Sequence, residues 1–199
     1  MELSARQWFI LAASAIGGGL LAFWYEHKDD AGSLVDQVTD AIVDLTSSDE
    51  SRLAEMQTDA QAQTRLLIQE LANQGIAVKV GQTLRSSAAE KDAIASGHSA
   101  ASLKVSWHQL GRAVDLYPID PDTGSADLAG KRDDLFQQMV ATARALGFRS
   151  LAYEDDGVTR HYIQGTKGAI WDGGHLEWRA PYGSISEAVA AEGAAYGLA

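Results

Sequence analysis

Hydrophobic and polar positions divide this chain into one long uncharged stretch followed by a series of short periodic ones. From Trp8 to Tyr25 the residues read WFILAASAIGGGLLAFWY, eighteen positions without a charge. A helix of that length rises about 27 Å, close to the roughly 30 Å hydrocarbon core of a bilayer. Trp8 and Phe9 at one end, with Phe23, Trp24 and Tyr25 at the other, stand where interfacial aromatics belong. No small-x-small cleavage site follows, so an uncleaved anchor is favoured over a signal peptide. Arg6 precedes the span and Lys28 follows it among Glu26, Asp29 and Asp30, a slight basic bias that places the N-terminus inside. Gly17, Gly18, Gly19 and the alanines fit helix packing through small residues, or a segment able to leave the bilayer.

Beyond a polar break at 26–33, Leu34, Val35, Val38, Ile42, Val43 and Leu45 recur at helical spacing and predict an amphipathic connector. Ser48 is the expected cap of a second helix, with Asp49 and Glu50 in its first turn, running to Asn73 and stopping at Gly75. The pattern then predicts a strand over 76–80, a helix over 88–96 closed by Gly97, and a longer helix from Arg132 to Gly147. In that last helix Leu135, Met139, Val140 and Leu146 face inward. Short strands are expected over 148–152, 169–171 and 175–179, with an unfamiliar hairpin at 153–168. The fold class is therefore α+β, a small antiparallel sheet with flanking helices. The expected division is an anchor at 1–29, a helical connector at 30–48, a domain at 49–182 and an Ala/Gly-rich tail at 183–199.

Composition narrows the partners. The 199 residues carry 16 Lys and Arg against 27 Asp and Glu, a net charge of −11. Phosphate backbones are repelled by such a surface, which excludes nucleic acid as the expected partner. Cysteine is absent, so there is no disulfide framework, no Cys-ligated zinc and no Cys nucleophile.

The chemistry concentrates in the stretch from Ser106 to Pro118. His108 and Asp115 lie seven positions apart with Gly111 between them, and a strand over 113–117 puts Ala113, Asp115 and Tyr117 on one face. Val114 and Leu116 then enter the core, and small Ala113 leaves room beside His108. Imidazole and carboxylate are zinc ligands, but two are too few. The third candidate is His175, in Trp171-Asp172-Gly173-Gly174-His175-Leu176-Glu177-Trp178. Three protein ligands leave a fourth position for water, the catalytic arrangement. An unligated carboxylate is then needed to take a proton, and Asp172, three residues before His175, is the natural choice. Glu177 shares a strand face with His175, where it supports a ligand or pairs with an arginine.

The motif Ser106-x-His108-x-x-Gly111-x-Ala113-x-Asp115, followed by Asp172-x-x-His175-x-Glu177, resembles the zinc D,D-carboxypeptidase and L-alanyl-D-glutamate endopeptidase family. Phage endolysins and bacterial cell-wall endopeptidases belong to it. The resemblance covers roughly residues 49–182. It implies one Zn2+ per chain on His108, Asp115 and His175, Asp172 as catalytic base, and peptidoglycan stem peptides as substrate. It also implies that Arg85, in Val80-Gly81-Gln82-Thr83-Leu84-Arg85-Ser86, contacts substrate or developing charge. Gln82, Ser106, Trp171 and Glu177 are the residues expected to line or support this site. Gly173 and Gly174 depart from the bulkier residues that relatives often carry. The expected activity is a membrane-anchored endopeptidase of the cell wall, with its catalytic domain outside the cytoplasm, or released there, or virion-associated. A phage or prophage lysis or entry protein fits that description. A D,D-carboxypeptidase, and a non-catalytic wall-binding protein that keeps the fold, remain open at this point. His27 and His161 are expected to be solvated, and His98 to be at most a groove residue.

Overall fold

The computed structural model describes residues 45–96, 105–165 and 168–198. The apolar stretch 8–25, the connector up to residue 44, His27 and His98 lie outside them. Among the described residues no helix is long and apolar enough to cross a membrane.

Helix α1 (Ser47–Leu53) is capped by Thr46, two residues before the expected Ser48. Thr46 prevails because Asp49 reciprocates. Its backbone N–H donates to Thr46 Oγ1 at 3.3 Å, and its Oδ2 accepts the Thr46 N–H at 3.1 Å. The helix expected to run unbroken to Asn73 is in fact two, because α2 starts only at Thr58 and ends at Asn73. Ala54, Glu55, Met56 and Gln57 all favour helix, so propensity gives no hint of the break. A tertiary contact makes it: the Gln57 N–H donates to the Gly111 carbonyl at 3.0 Å. Gly111 has φ of 65°, and a Cβ there would lie 3.2 Å from the Gln57 nitrogen. Only glycine meets both demands.

Strand β1 (Val78–Val80) and helix α3 (Ser87–Ser96) follow, then a 3-10 turn (Trp107–Leu110) and the long strand β2 (Ala113–Asp120). After β3 (Ser125–Ala126) come helix α4 (Asp133–Ala145), β4 (Arg149–Ser150) and the hairpin β5 (Ile163–Gly165) and β6 (Gly168–Ile170). Strand β7 (His175–Glu177) and helix α5 (Ile185–Glu192) complete the order. The main sheet runs β1-β2-β7-β4, with β3 also paired to β2 and every pairing antiparallel.

One face of this sheet is the core. Val114 and Leu116 of β2 and Leu176 of β7 are fully buried there, against Leu67, Ile68 and Leu71 of α2 and Phe136, Met139 and Val140 of α4. Each large apolar side chain so buried contributes about 1.5–3 kcal/mol. The period-2 alternation of β2 leaves Ala113, Asp115 and Tyr117 on the other face. A second apolar cluster closes over the start of β2, where Trp107, Leu110 and Ala113 meet Ala188, with Ile185 and Val189, from α5. Arg112 pins that corner. Its buried guanidinium donates to Asp59 of α2 and Glu192 of α5, both at 2.8 Å, and to the Ala180 carbonyl.

Candidate metal centre

Strand β2 brings the site together. Its Asp115 pairs directly with His175, the first residue of β7. On its other side the chain leaving β1 continues the ladder: the Gly81 N–H donates to the Asp115 carbonyl at 2.7 Å, and the Asp115 N–H to the Gln82 carbonyl at 2.8 Å. Asp115 is thus hydrogen-bonded by backbone on one side and faces His175 on the other. His108 arrives from the 3-10 turn just before β2, its side chain 3% exposed. The turn closes when Gly111 enters the left-handed region.

Three atoms converge. His108 Nε2 lies 3.1 Å from His175 Nδ1 and 3.2 Å from Asp115 Oδ1, and His175 Nδ1 lies 3.3 Å from Asp115 Oδ1. Ligands at about 2.0–2.1 Å from a tetrahedral ion are about 3.3 Å apart, so the triangle has the size of one tetrahedral face. The other ring nitrogens decide what this face offers. His108 Nδ1 is 3.0 Å from the Thr83 carbonyl, which can only accept, so Nδ1 carries the proton and Nε2 a lone pair. His175 Nε2 is 3.1 Å from the Glu177 carboxylate, which leaves the lone pair on Nδ1. Two imidazole nitrogens and a carboxylate oxygen so placed could be shared by a proton or by a metal ion.

Electrostatics agree. Burial opposes charge on Asp115, but the two imidazoles outweigh it and hold the carboxyl well below the usual carboxylate range. Burial likewise opposes a proton on His175, yet Asp115, Glu177 and the charge of Asp172 raise it well above an ordinary imidazole. Without an ion, a proton fills part of the same demand. Asp172 behaves differently. Burial pushes its carboxyl up, as does the charge on Asp115, against the pull of His175, His108 and Arg85. Among the described residues its carboxylate accepts no hydrogen bond.

His108, Asp115 and His175 therefore form the cluster that could hold a metal ion, as their spacing predicted. Arg85 lies within electrostatic reach of Asp172, and its Nε donates to Gln82 Oε1 at 2.7 Å. Glu177 both receives His175 and pairs with Arg179, whose Nε is 2.7 Å away. Ser106 donates its hydroxyl to Glu90 at 3.0 Å. Trp171 is packed edge-on against Phe136 and Tyr153 under Arg160, its Nε1 donating to the Ala152 carbonyl at 2.7 Å. That indole braces the turn before His175 from below. The two glycines of the turn follow from it: a Cβ on Gly173 would lie 2.3 Å from the Trp171 ring, and one on Gly174 2.7 Å from the Leu116 carbonyl. His161 is surface-paired with Glu154 at 2.8 Å.

Sequence reasoning missed four contributors. Thr83 acts through its carbonyl, which no residue pattern reveals. Glu90 lies in the expected helix without a role assigned to it, but is buried. Arg179 was passed over, although it lies two residues from Glu177. Tyr117 was placed on the right face without a role; its ring fills the space between Gly81 and Gly174. A separate depression of about 530 Å3 lies along β4, and its Arg144, His161 and Arg179 already hold partners. None of the metal-cluster residues lines it.

No family model matches this chain, and no curated protein matches it. Among solved structures it is similar to the L-Ala D-Glu endopeptidase ChiX of Serratia marcescens, at a TM-score of 0.47 and 21% identity. The alignment covers 67% of this chain and 87% of that one.

Proposed function

We propose that this protein is a zinc-dependent endopeptidase that cuts peptide bonds in peptidoglycan stem peptides. The observation that carries the reading is the triangle of His108 Nε2, Asp115 Oδ1 and His175 Nδ1, with the unbonded carboxylate of Asp172 in its field. A zinc ion held by those three atoms supplies Lewis acidity that polarises a carbonyl and acidifies a water. Asp172 accepts the proton of the attacking water and returns it to the leaving amine nitrogen, a task suited to a carboxyl raised above its ordinary range. Arg85 presents N–H groups to the oxygen that gains charge. Thr83 and Glu177 fix the two imidazoles so that no lone pair has to turn during the reaction.

The choice of murein rests on the motif resemblance, and the apolar span at 8–25 agrees with it. An inner-membrane anchor there, with the catalytic domain outside the cytoplasm, delivers the enzyme to its polymer. A phage or prophage lysis or entry role follows from the same resemblance. Zymography on purified murein tests the reading: a clearing zone that chelator abolishes and zinc restores is expected. Clearing that persists in chelator, or none at all with a full complement of metal, would overturn it.

A further inference from the structure

Glu90 is buried to 2% exposure in α3. A single oxygen, Oε2, accepts Arg85 Nη1 at 2.8 Å and Ser106 Oγ at 3.0 Å. Gln82 Oε1 takes the opposite edge of the guanidinium, accepting Nε at 2.7 Å and also Nη2. A guanidinium has five N–H donors. Among the described residues Gln82 and Glu90 engage three, which leaves one on Nη1 and one on Nη2. Arg85 is also tied through its backbone, its N–H donating to the His108 carbonyl at 3.1 Å. Ser106 leads directly into the turn that carries His108.

A buried ion pair is seldom more stabilising than well-packed apolar groups of the same volume. What it provides here is direction, because a guanidinium held on two edges cannot rotate. We propose that Glu90 is a positioning residue. It aims the two remaining N–H groups of Arg85 and locks that arm to the turn bearing His108, so that charge recognition and the metal cluster keep one relative placement. The inference rests on the proposed function only in giving Arg85 a substrate to meet.

Two measurements on the full-length chain decide it. Side-chain 15N NMR, with Arg85 identified by its loss in Arg85→Lys, should show separate Nη1 and Nη2 signals. Glu90→Met keeps the volume and removes the acceptor, and should merge them. Should that variant not fold, Glu90→Gln keeps only a neutral, weaker acceptor and should speed Arg85 Nη1–H exchange at least tenfold. Signals or exchange unchanged from wild type overturn the proposal, whatever the substrate is. On murein, Glu90→Gln should lower kcat/KM at least tenfold with Arg85 present and less than twofold in an Arg85→Ala background, at unchanged metal content. Equal losses in both backgrounds would mark a merely structural role and overturn it too. A wild-type chain inactive on murein would sink the proposed function, while the NMR result still decides Glu90.

Discussion

The Thr83 carbonyl accepts the Nδ1–H of His108 at 3.0 Å, and that one bond determines which nitrogen faces Asp115 and His175. Glu177 does the same for His175 at 3.1 Å. The ring orientations are therefore set by the fold before any ion arrives, and the ligand set can be tested one member at a time.

Purified protein should carry about one zinc per chain. His108→Ala or His175→Ala leaves two ligands and should reduce the content several-fold in elemental analysis. Full occupancy in either variant would refute the assignment.

Metal binding should compete with protons. In the metal-free chain His175 holds its proton well above the ordinary imidazole range, and a ligand nitrogen must release it to bind an ion. Below that raised pKa each bound ion displaces one proton, so apparent zinc affinity should fall about tenfold per pH unit lowered. Asp115, held below the usual carboxylate range, adds nothing to the slope near neutrality. Competition with a chromophoric chelator from pH 8 to pH 6 measures this. Glu177→Gln removes one group that raises His175, so the sloping region should end at a lower pH.

Asp172→Asn should separate holding the metal from moving the proton. It removes no ligand, so zinc content and thermal midpoint should stay near wild type. Loss of a general base costs about 10²–10⁴-fold in rate, and the loss should fall on kcat. Near-normal hydrolysis would transfer the role to another group. Zinc loss would show that Asp172 supports the metal.

Arg112→Ala should destabilise the domain by about 3 kcal/mol, since removing one partner of a buried ion pair strands the others. Asp59 and Glu192 keep 24% and 20% side-chain exposure, which holds the cost to the low end. Glu192→Ala should cost less, because Asp59 still faces the guanidinium. Urea unfolding followed by Trp fluorescence reads both.

The 8–25 span predicts topology. A phosphatase that is active only outside the cytoplasm, fused after Ala31, should be active in a bacterial host. Inactivity would reverse the orientation, and recovery of a chain lacking the first 25 residues would indicate cleavage.

The residues that could hold a metal ion were legible because their spacing maps onto local geometry. Gly111 permits the turn, alternation in β2 turns Asp115 away from Val114 and Leu116, and His175 opens the next strand. What stayed hidden depends on partners distant in sequence. The helix break at residues 54–57 answers to Gly111, and the burial of Glu90 answers to Arg85 and Ser106. The residues after Ser186 read as near low complexity because alanine and glycine carry little pattern, yet Ala188 and Glu192 pack against Trp107 and Arg112. Thr83 contributes a main-chain oxygen, and residue identity says nothing about that.

The direct pairing of Asp115 with His175 has a consequence for assembly of the fold. A slip of one residue between β2 and β7 turns every side chain of the slipped strand to the opposite face. Asp115 would then point into the apolar layer and Val114 toward the imidazoles, and the three lone pairs could not meet. An ion that requires all three therefore rewards one strand alignment alone and acts as a proofreader of the sheet. Molecules that take up metal after refolding should be those whose central strands have paired in register.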